Sequence, residues 1–324
     1  MSKAIRIHQT GGPEALVFED VTVPAPAAGE VLLRQGAVGV NYIDVYHRTG
    51  LYPAPLPCAL GLEGAGTVEA IGDGVTDFRP GDRVAYANPP IGAYAERRVI
   101  PAHRLVKLPD SISETQAAGM MLKGMTAQYL LRRTYRVQKG DTILVHAAAG
   151  GVGLLLCQWA HHLGATVIGT VGSPEKAELA KAHGCHHPIL YRDADFVAAV
   201  REITQGIGVQ VVYDSVGIDT FERSLDCIKP LGMMVSFGQN SGKVPPFDTG
   251  ILAAKGSLFL TRPTLMTYTA ARADLVSMAT ELFDVVQSGA VKVEISRTYP
   301  LAEAAQAHRD LEARRTTGSL VLLP

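Results

Sequence analysis

The run Ala147-Ala-Ala-Gly-Gly-Val-Gly153 follows an apolar segment, 142–146, that reads as a strand, and it opens a segment, 151–163, that reads as a helix. Small residues at such a junction let the backbone approach a pyrophosphate, and the free N–H groups of the first helical turn meet its charge. A plain turn accounts for the glycines, but not for their place between a strand and a helix at the head of a longer series. Further strands are predicted at 166–171, 187–191, 209–214, 233–237 and 257–260, with helices at 173–183, 194–204 and 220–228. Ser173 is placed as N-cap and Pro174 at the first helical position. Strands alternating with helices predict a parallel sheet with crossover helices, and the Val- and Ile-rich strands suit burial on both faces.

The residues after the second strand select the dinucleotide. An NAD site wants an acid about 20 residues past the glycines, for the ribose hydroxyls. Here the segment reads Val171-Gly-Ser-Pro-Glu-Lys176, and its first acid, Glu175, already lies inside the next helix. Ser173 and Lys176 stand where a 2′-phosphate would lie, and Tyr191 could cover the adenine. A capping serine, a solvated lysine and a half-buried tyrosine would each have a plain structural reading. Together, with the acid missing, they favour NADPH.

The first third differs in character. Short strands at 4–7, 17–21, 31–35, 64–71 and 83–86 are separated by turn clusters such as Gly11-Gly-Pro13 and Pro80-Gly-Asp82. This predicts a partly open antiparallel barrel. Helices at 271–288 and 301–314 and a strand at 319–323 do not continue the alternating rhythm and are expected to return to that barrel. The fold expected is α/β, a Rossmann-type doubly wound parallel sheet inserted near the end of a β-barrel domain. The barrel takes 1–123 and 268–324 and the dinucleotide-binding domain 124–267, and a 324-residue chain suits two domains.

Thirty Lys and Arg against 31 Asp and Glu leave a net charge of −1, with no electrostatic footprint for nucleic acid or an anionic membrane. No apolar run approaches the ~20 residues of a membrane helix, and the charged start Met1-Ser-Lys-Ala-Ile-Arg is not a secretory signal. The four cysteines, Cys58, Cys157, Cys185 and Cys227, are scattered as expected for reduced thiols in a cytoplasm.

The run Gly140-Asp-x-x-Leu144-x-x-x-Ala148-Ala-Gly-Gly-x-Gly153-x-x-x-x-Gln158 resembles the signature of the quinone oxidoreductase/ζ-crystallin group of the medium-chain dehydrogenase/reductase superfamily. Gly61-Leu-Glu-Gly-Ala-Gly66, Pro80-Gly-Asp-Arg-Val84, Leu122-Lys-Gly-Met-Thr126 and Tyr213-Asp-Ser-Val-Gly217 extend the resemblance over essentially the whole chain. Within the group the chain is most similar to bacterial NADPH:quinone reductases, and His161 departs from the usual Lys, Arg or Ser at a helix-surface position. The resemblance implies a GroES-like barrel and a cleft between the domains. It implies cofactor contacts at Asp44, Thr126, Gly150, Gly151, Val152, Ser173, Lys176, Tyr191, Val216, Phe237, Gly238, Arg262 and Thr316, and a substrate pocket at Asn41, Tyr46, Tyr52 and Tyr129. It also implies a homodimer paired through residues 257–261, an apolar run whose edge would invite another chain.

Zinc alcohol dehydrogenases of the same superfamily carry a Cys and a Gly-His-Glu run where this chain has Asn41 and Gly61-Leu62-Glu63. The neighbours His161-His162 and His186-His187 are expected to be surface groups pointing different ways. No catalytic metal is expected. Reduction of a simple ketone passes through a basic alkoxide that a Lewis acid must stabilise. A quinone yields a much less basic phenolate, which donors such as Asn41 and Tyr46 could polarise. Tyr42 and Tyr46, four apart on a helical turn, also read as packing with hydrogen-bonded tips. With no flavin motif in sight, hydride should pass directly from the nicotinamide to a small quinone. Two alternatives stay open, an NADPH-dependent enal or enone reductase and a non-enzymatic NADPH-binding protein of crystallin-like or RNA-binding kind.

Overall fold

The alternation of strands and helices builds one six-stranded parallel sheet in the computed structural model, which describes residues 2–324. Its strands are β1 (Thr142–Val145), β2 (Thr166–Val171), β3 (His187–Leu190), β4 (Val209–Asp214), β5 (Ile228–Ser236) and β6 (Phe259–Thr261), in the order β3-β2-β1-β4-β5-β6. The direction of winding reverses between β1 and β4, and a doubly wound sheet opens its binding crevice there, at the carboxyl ends. Leu144, Ile168, Val212 and Met234 from the strands pack with Phe196, Val200, Phe221 and Leu225 from the helices. Ser173 Oγ caps the helix Pro174–Ala182 by accepting from the Lys176 N–H at 3.4 Å.

Two strands differ from expectation. β5 starts at Ile228, because the helix before it, Phe221–Leu225, stops early. β6 is only three residues long: Gly256 and Ser257 both have positive φ, +110° and +57°, which turns the chain away from extended pairing.

The strand Glu30–Val40 organises the rest of the chain. It pairs antiparallel with Gly64–Ile71, Arg97–Pro101 and Ser319–Leu323, and Arg83–Tyr86 and Val106–Lys107 continue the sheet. It runs five residues beyond the expected end. Its extension crosses Gly39, where a Cβ would stand 2.1 Å from the Ala118 carbonyl and 2.2 Å from Glu63 Oε2, so only glycine lets the strand pass. One pairing departs from the antiparallel expectation: Ile295–Pro300 lies parallel to Ser319–Leu323. A smaller sheet joins Ser2–Ile7 to Val17–Val21 and Cys58–Ala59. Ile5, Leu33, Val40, Tyr86, Tyr94 and Leu322 lie in the core of this part.

The chain divides into two units, Met1–Met125 with Tyr268–Gln287 and Val293–Pro324, and Thr126–Thr267 with Ser288–Lys292. The short return joins the second unit through Gln158, which accepts from the Lys292 N–H at 2.8 Å and donates to its carbonyl at 3.0 Å. Among the described residues, no helix is long and apolar enough to cross a membrane.

Candidate functional site

In the second unit, the glycine run leaves β1 and enters the helix Gly151–His162 with Gly150 as N-cap. Ala147 turns the chain with φ +54°, and its neighbour Ala148 donates to the Thr170 carbonyl at 3.0 Å. A Cβ on Gly153 would stand 2.2 Å from the Ala147 carbonyl oxygen, so the helix can approach the strand only without a side chain there. The N–H groups of Gly151, Val152 and Gly153 lie in the first turn, where no intrahelical carbonyl can receive them. That is an anion-binding arrangement.

Beneath the run, buried His146 ties three elements together. Its Nδ1 lies 2.9 Å from Thr170 Oγ1 and its Nε2 2.8 Å from Ser224 Oγ. Ser224 already donates to the Thr220 carbonyl, so Nε2 carries the proton and Nδ1 accepts from Thr170. Burial pushes the His146 pKa down, with the Asp214 charge opposing.

The carboxyl ends of the other strands carry the remaining expected cofactor residues of this unit. Ser173 and Lys176 follow β2, and Glu175 takes a hydrogen bond from Ser173 that holds its carboxyl below the usual range. Tyr191 follows β3, exposed, its hydroxyl close enough to Gly172 to lie 3.2 Å from a Cβ built there. Asp214 ends β4 fully buried; its carboxylate accepts from Val216 N–H at 2.7 Å, Gly217 N–H at 3.2 Å and Thr220 Oγ1 at 2.8 Å. The Asp214 carbonyl accepts from Phe237 N–H at 2.8 Å, after β5. One aspartate thus brings Val216, Phe237 and Gly238 to the same edge. Exposed Arg262 follows β6, and Thr126 and Tyr129 are buried in this unit on the helix Glu114–Tyr129.

In the first unit, Asn41 precedes the helix Tyr42–Arg48 and is buried. Its amide donates to Glu63 Oε2 at 2.7 Å, and Glu63, fully buried, also receives the Leu122 N–H at 2.8 Å and the Lys123 ammonium at 3.4 Å. Lys123 in turn donates to the Val40 carbonyl at 3.2 Å. Leu62 presents a buried alkyl side chain beside this group in sequence. Tyr46 and Tyr52 are half-buried and meet edge to face, ring centroids 5.2 Å apart, with Tyr42 at 6.3 Å from Tyr46. Thr316, half-buried, lies in the turn before the strand Ser319–Leu323.

The helix Tyr42–Arg48 is anchored by a directional chain that motif reading missed. Arg48 binds Glu312 through both guanidinium nitrogens, at 2.7 and 2.9 Å, and its NH1 donates to His308 Nδ1 at 3.1 Å. His308 Nε2 therefore carries the proton and donates to Tyr94 Oη at 3.0 Å, and Tyr94 donates to Asp44 Oδ2 at 3.0 Å. The same oxygen accepts the Asn41 N–H at 2.8 Å, while Asp44 Oδ1 is buried without a partner. Burial raises the Asp44 pKa to about 7 despite these donors. Burial, and then the Arg48 charge, lowers that of His308 to about 3. The side-chain partners along this chain lie 50 to 264 positions apart, so no local spacing announces them.

Among the described residues, no three His, Cys, Asp or Glu side chains converge as a metal-binding group. All four histidines of the two doublets are exposed, and across the doublets Nδ1 of His161 and Nε2 of His186 lie 3.1 Å apart. His186 Nδ1 accepts the Val167 N–H at 2.9 Å, so its Nε2 is protonated and the contact is a hydrogen bond.

Residues 151–281 match the family model described as zinc-binding dehydrogenase, and residues 27–110 that of the alcohol dehydrogenase GroES-like domain. The chain is 54% identical to a quinone oxidoreductase of Pseudomonas aeruginosa, over 100% of both. It is 49% identical to a 2-haloacrylate reductase of a Burkholderia species, over 100% of this chain and 99% of the other. The crystal structure of the Escherichia coli quinone oxidoreductase complexed with NADPH superposes with a TM-score of 0.98 at 48% identity, covering 99% of this chain and 100% of that one. At such identity over the full length, the chain belongs to the quinone oxidoreductase family of the medium-chain dehydrogenase/reductase superfamily.

Proposed function

We propose that the chain is an NADPH:quinone reductase that works without a metal ion. The observation that carries this is the sheet's carboxyl edge, where the glycine run, Ser173 with Lys176, Tyr191, Val216, Phe237-Gly238 and Arg262 end successive strands of one unit. The residues fit the dinucleotide: a side chain at Gly153 would close the approach to the helix start, and no acid ends β2. The first helical turn holds the pyrophosphate, Ser173 and Lys176 the 2′-phosphate, and Tyr191 flanks the adenine. Asp44, Thr126 and Thr316 complete the proposed cofactor contacts. NADPH, when bound, supplies the hydride.

Asn41, Tyr46, Tyr52 and Tyr129 are assigned to the quinone. Asn41 has a second amide hydrogen beyond the one given to Glu63, and Tyr46 a hydroxyl, to polarise the acceptor oxygen. Glu63 is balanced by the Lys123 ammonium, and Asn41 and Leu62 replace the thiolate and imidazole of the zinc branch. Such donors suffice for an acceptor whose reduced anion is a stabilised phenolate. The 49% identity to a 2-haloacrylate reductase favours a second reading, reduction of an activated alkene. NADPH consumption with a benzoquinone, a naphthoquinone, a medium-chain enal and an aldehyde distinguishes them. Quinones should lead; an enal preferred about tenfold in kcat/KM would overturn the first reading for the second.

A homodimer paired through β6 belongs to the same proposal. β6 is the last strand of its sheet, and Phe259 on it is 58% exposed. Light scattering giving the 34.4 kDa monomer mass would refute it. The scattered free thiols suit a reducing cytoplasmic setting.

A further inference from the structure

His146 stands just past β1, where the winding of the sheet reverses, with β2 on one side and β4 on the other. Both of its ring nitrogens are committed. Thr170 of β2 donates through Oγ1 to Nδ1, and Nε2 donates to Ser224 Oγ on the helix Phe221–Leu225. Ser224 Oγ donates in turn to the Thr220 carbonyl at 2.7 Å, and Thr220 Oγ1 donates to the Asp214 carboxylate. His146, Thr170, Ser224 and Asp214 are all buried. The core of this unit is otherwise built from residues such as Leu144, Ile168, Phe221 and Leu225, and the Phe196 ring meets the imidazole edge to face, centroids 5.1 Å apart.

Stability alone does not call for such a line of polar groups. Apolar side chains of matching shape would hold the fold about as well. Their contacts are non-directional, however, and let packed segments slide, whereas a fully satisfied line of hydrogen bonds fixes one arrangement. The segments fixed here are the two halves of the crevice. On the β2 side, Thr170 is gripped twice by one segment, its hydroxyl by His146 and its carbonyl by the Ala148 N–H of the glycine run, three residues before Ser173. On the β4 side, Ser224 lies one turn after Thr220. Its position therefore sets that of the Asp214 carboxylate, and with it Val216 and Gly217, whose N–H groups donate to that carboxylate.

A dinucleotide lies across such a crevice, one mononucleotide on each half. We infer that His146 is a positioning residue that holds the adenosine and nicotinamide halves of the cofactor site at one spacing, so that both ends of NADPH engage together. This rests on the proposed cofactor. At 1% exposed, His146 acts through Thr170 and Ser224 and not by contact with the dinucleotide. The two ends of NADPH are linked ligands, and their joint binding exceeds that of either alone only while the two sites keep the spacing of the link. A loosened crevice keeps each half-site and loses the gain from linking them.

The test uses the full-length protein and three variants. His146→Phe removes both hydrogen bonds and keeps a ring against Phe196; Thr170→Val removes one donor at nearly constant shape; His146→Gln keeps one acceptor and one donor. Binding of adenosine 2′,5′-bisphosphate reads the adenosine half alone, and binding of NADPH reads the linked pair. In His146→Phe and Thr170→Val, NADPH affinity should fall about tenfold while affinity for the bisphosphate changes by less than about twofold. His146→Gln should recover most of the loss. Equal weakening of both ligands, or of neither, would overturn the inference, and Thr170→Val carries the test if His146→Phe does not fold. Amide hydrogen exchange in the ligand-free parent and Thr170→Val reads the coupling without a cofactor. Faster exchange at Val216 and Gly217 is expected in the variant, and unchanged exchange there would also overturn the inference. A parent that binds neither ligand would remove the proposed cofactor and leave the exchange comparison to decide the role of His146.

Discussion

The chain from Arg48 through His308 and Tyr94 to Asp44 contains two buried groups shifted in opposite directions, and their effects on stability oppose. Asp44 is raised from 3.8 to about 7. Between those values the folded protein keeps a proton that the unfolded chain has lost, so this group's contribution falls as pH rises through the window. His308 is lowered from 6.5 to about 3. Between those values the unfolded chain holds a proton that the folded protein lacks, so its contribution falls as pH falls. Each is worth up to ~1.4 kcal/mol per pH unit. From pH ~4 to 6.5 the slopes cancel in the native protein. Asp44→Asn removes one of them, and its stability relative to the parent should climb by about 3 kcal/mol across that interval as pH rises. His308→Phe should move relative to the parent by a similar amount in the opposite sense. It also carries a pH-independent loss of about 2–5 kcal/mol, because Arg48 NH1 and Tyr94 Oη lose their buried partner. Urea unfolding at half-unit pH steps, with differences taken against the parent at each pH, isolates these slopes from every other titration. Parallel stability–pH curves for all three proteins would refute the reasoning.

Lys176→Ala should raise KM for NADPH by roughly 10–150-fold, the cost of one charge-assisted contact of about 1.5–3 kcal/mol, and leave NADH kinetics nearly unchanged; equal effects on both cofactors would remove Lys176 from the 2′-phosphate. Tyr46→Phe should lower kcat/KM for a quinone by roughly 10–100-fold, one lost hydrogen bond, whereas a Tyr46 that only packs against Tyr52 would leave it little changed. Dialysis against a strong chelator should leave activity intact, and activity lost with the chelator and restored by zinc would contradict the metal-free reading.

Legibility in the sequence followed the range of the interactions. β2 and β4 appear at their expected boundaries, and Ser173 and Pro174 start their helix where cap chemistry places them. Arg97–Pro101, Ile295–Pro300 and the helix Glu114–Tyr129 were not anticipated. Arg97–Pro101 has no exposed face and Ile295–Pro300 buries only Tyr299, both among Arg and Pro residues that read as loop, and the helix has little amphipathic contrast. Positions tied to the glycine run were visible because that run carries its own local chemistry. Asp214 could be quoted within a motif, but its role of gathering Val216, Thr220 and Phe237 could not be read from it. Glu63 with Lys123, and the chain ending at Asp44, join residues that only the folded sheet brings together.

The placement of Ser319–Leu323 against Glu30–Val40 has a consequence for how the protein is made. The two strands that pair through Val38–Val40 are separated by about 280 residues. A ribosome adding roughly 5–20 residues per second leaves that edge of the older strand without its neighbour for roughly 14–56 s. The parallel sheet has no such wait, because its strands span the contiguous stretch from Thr142 to Thr261. Synthesis therefore delivers a completed dinucleotide-type sheet while the barrel still shows an open edge, a template for pairing with another nascent chain. The strand Ser319–Leu323 covers it only after some 280 further residues have been added.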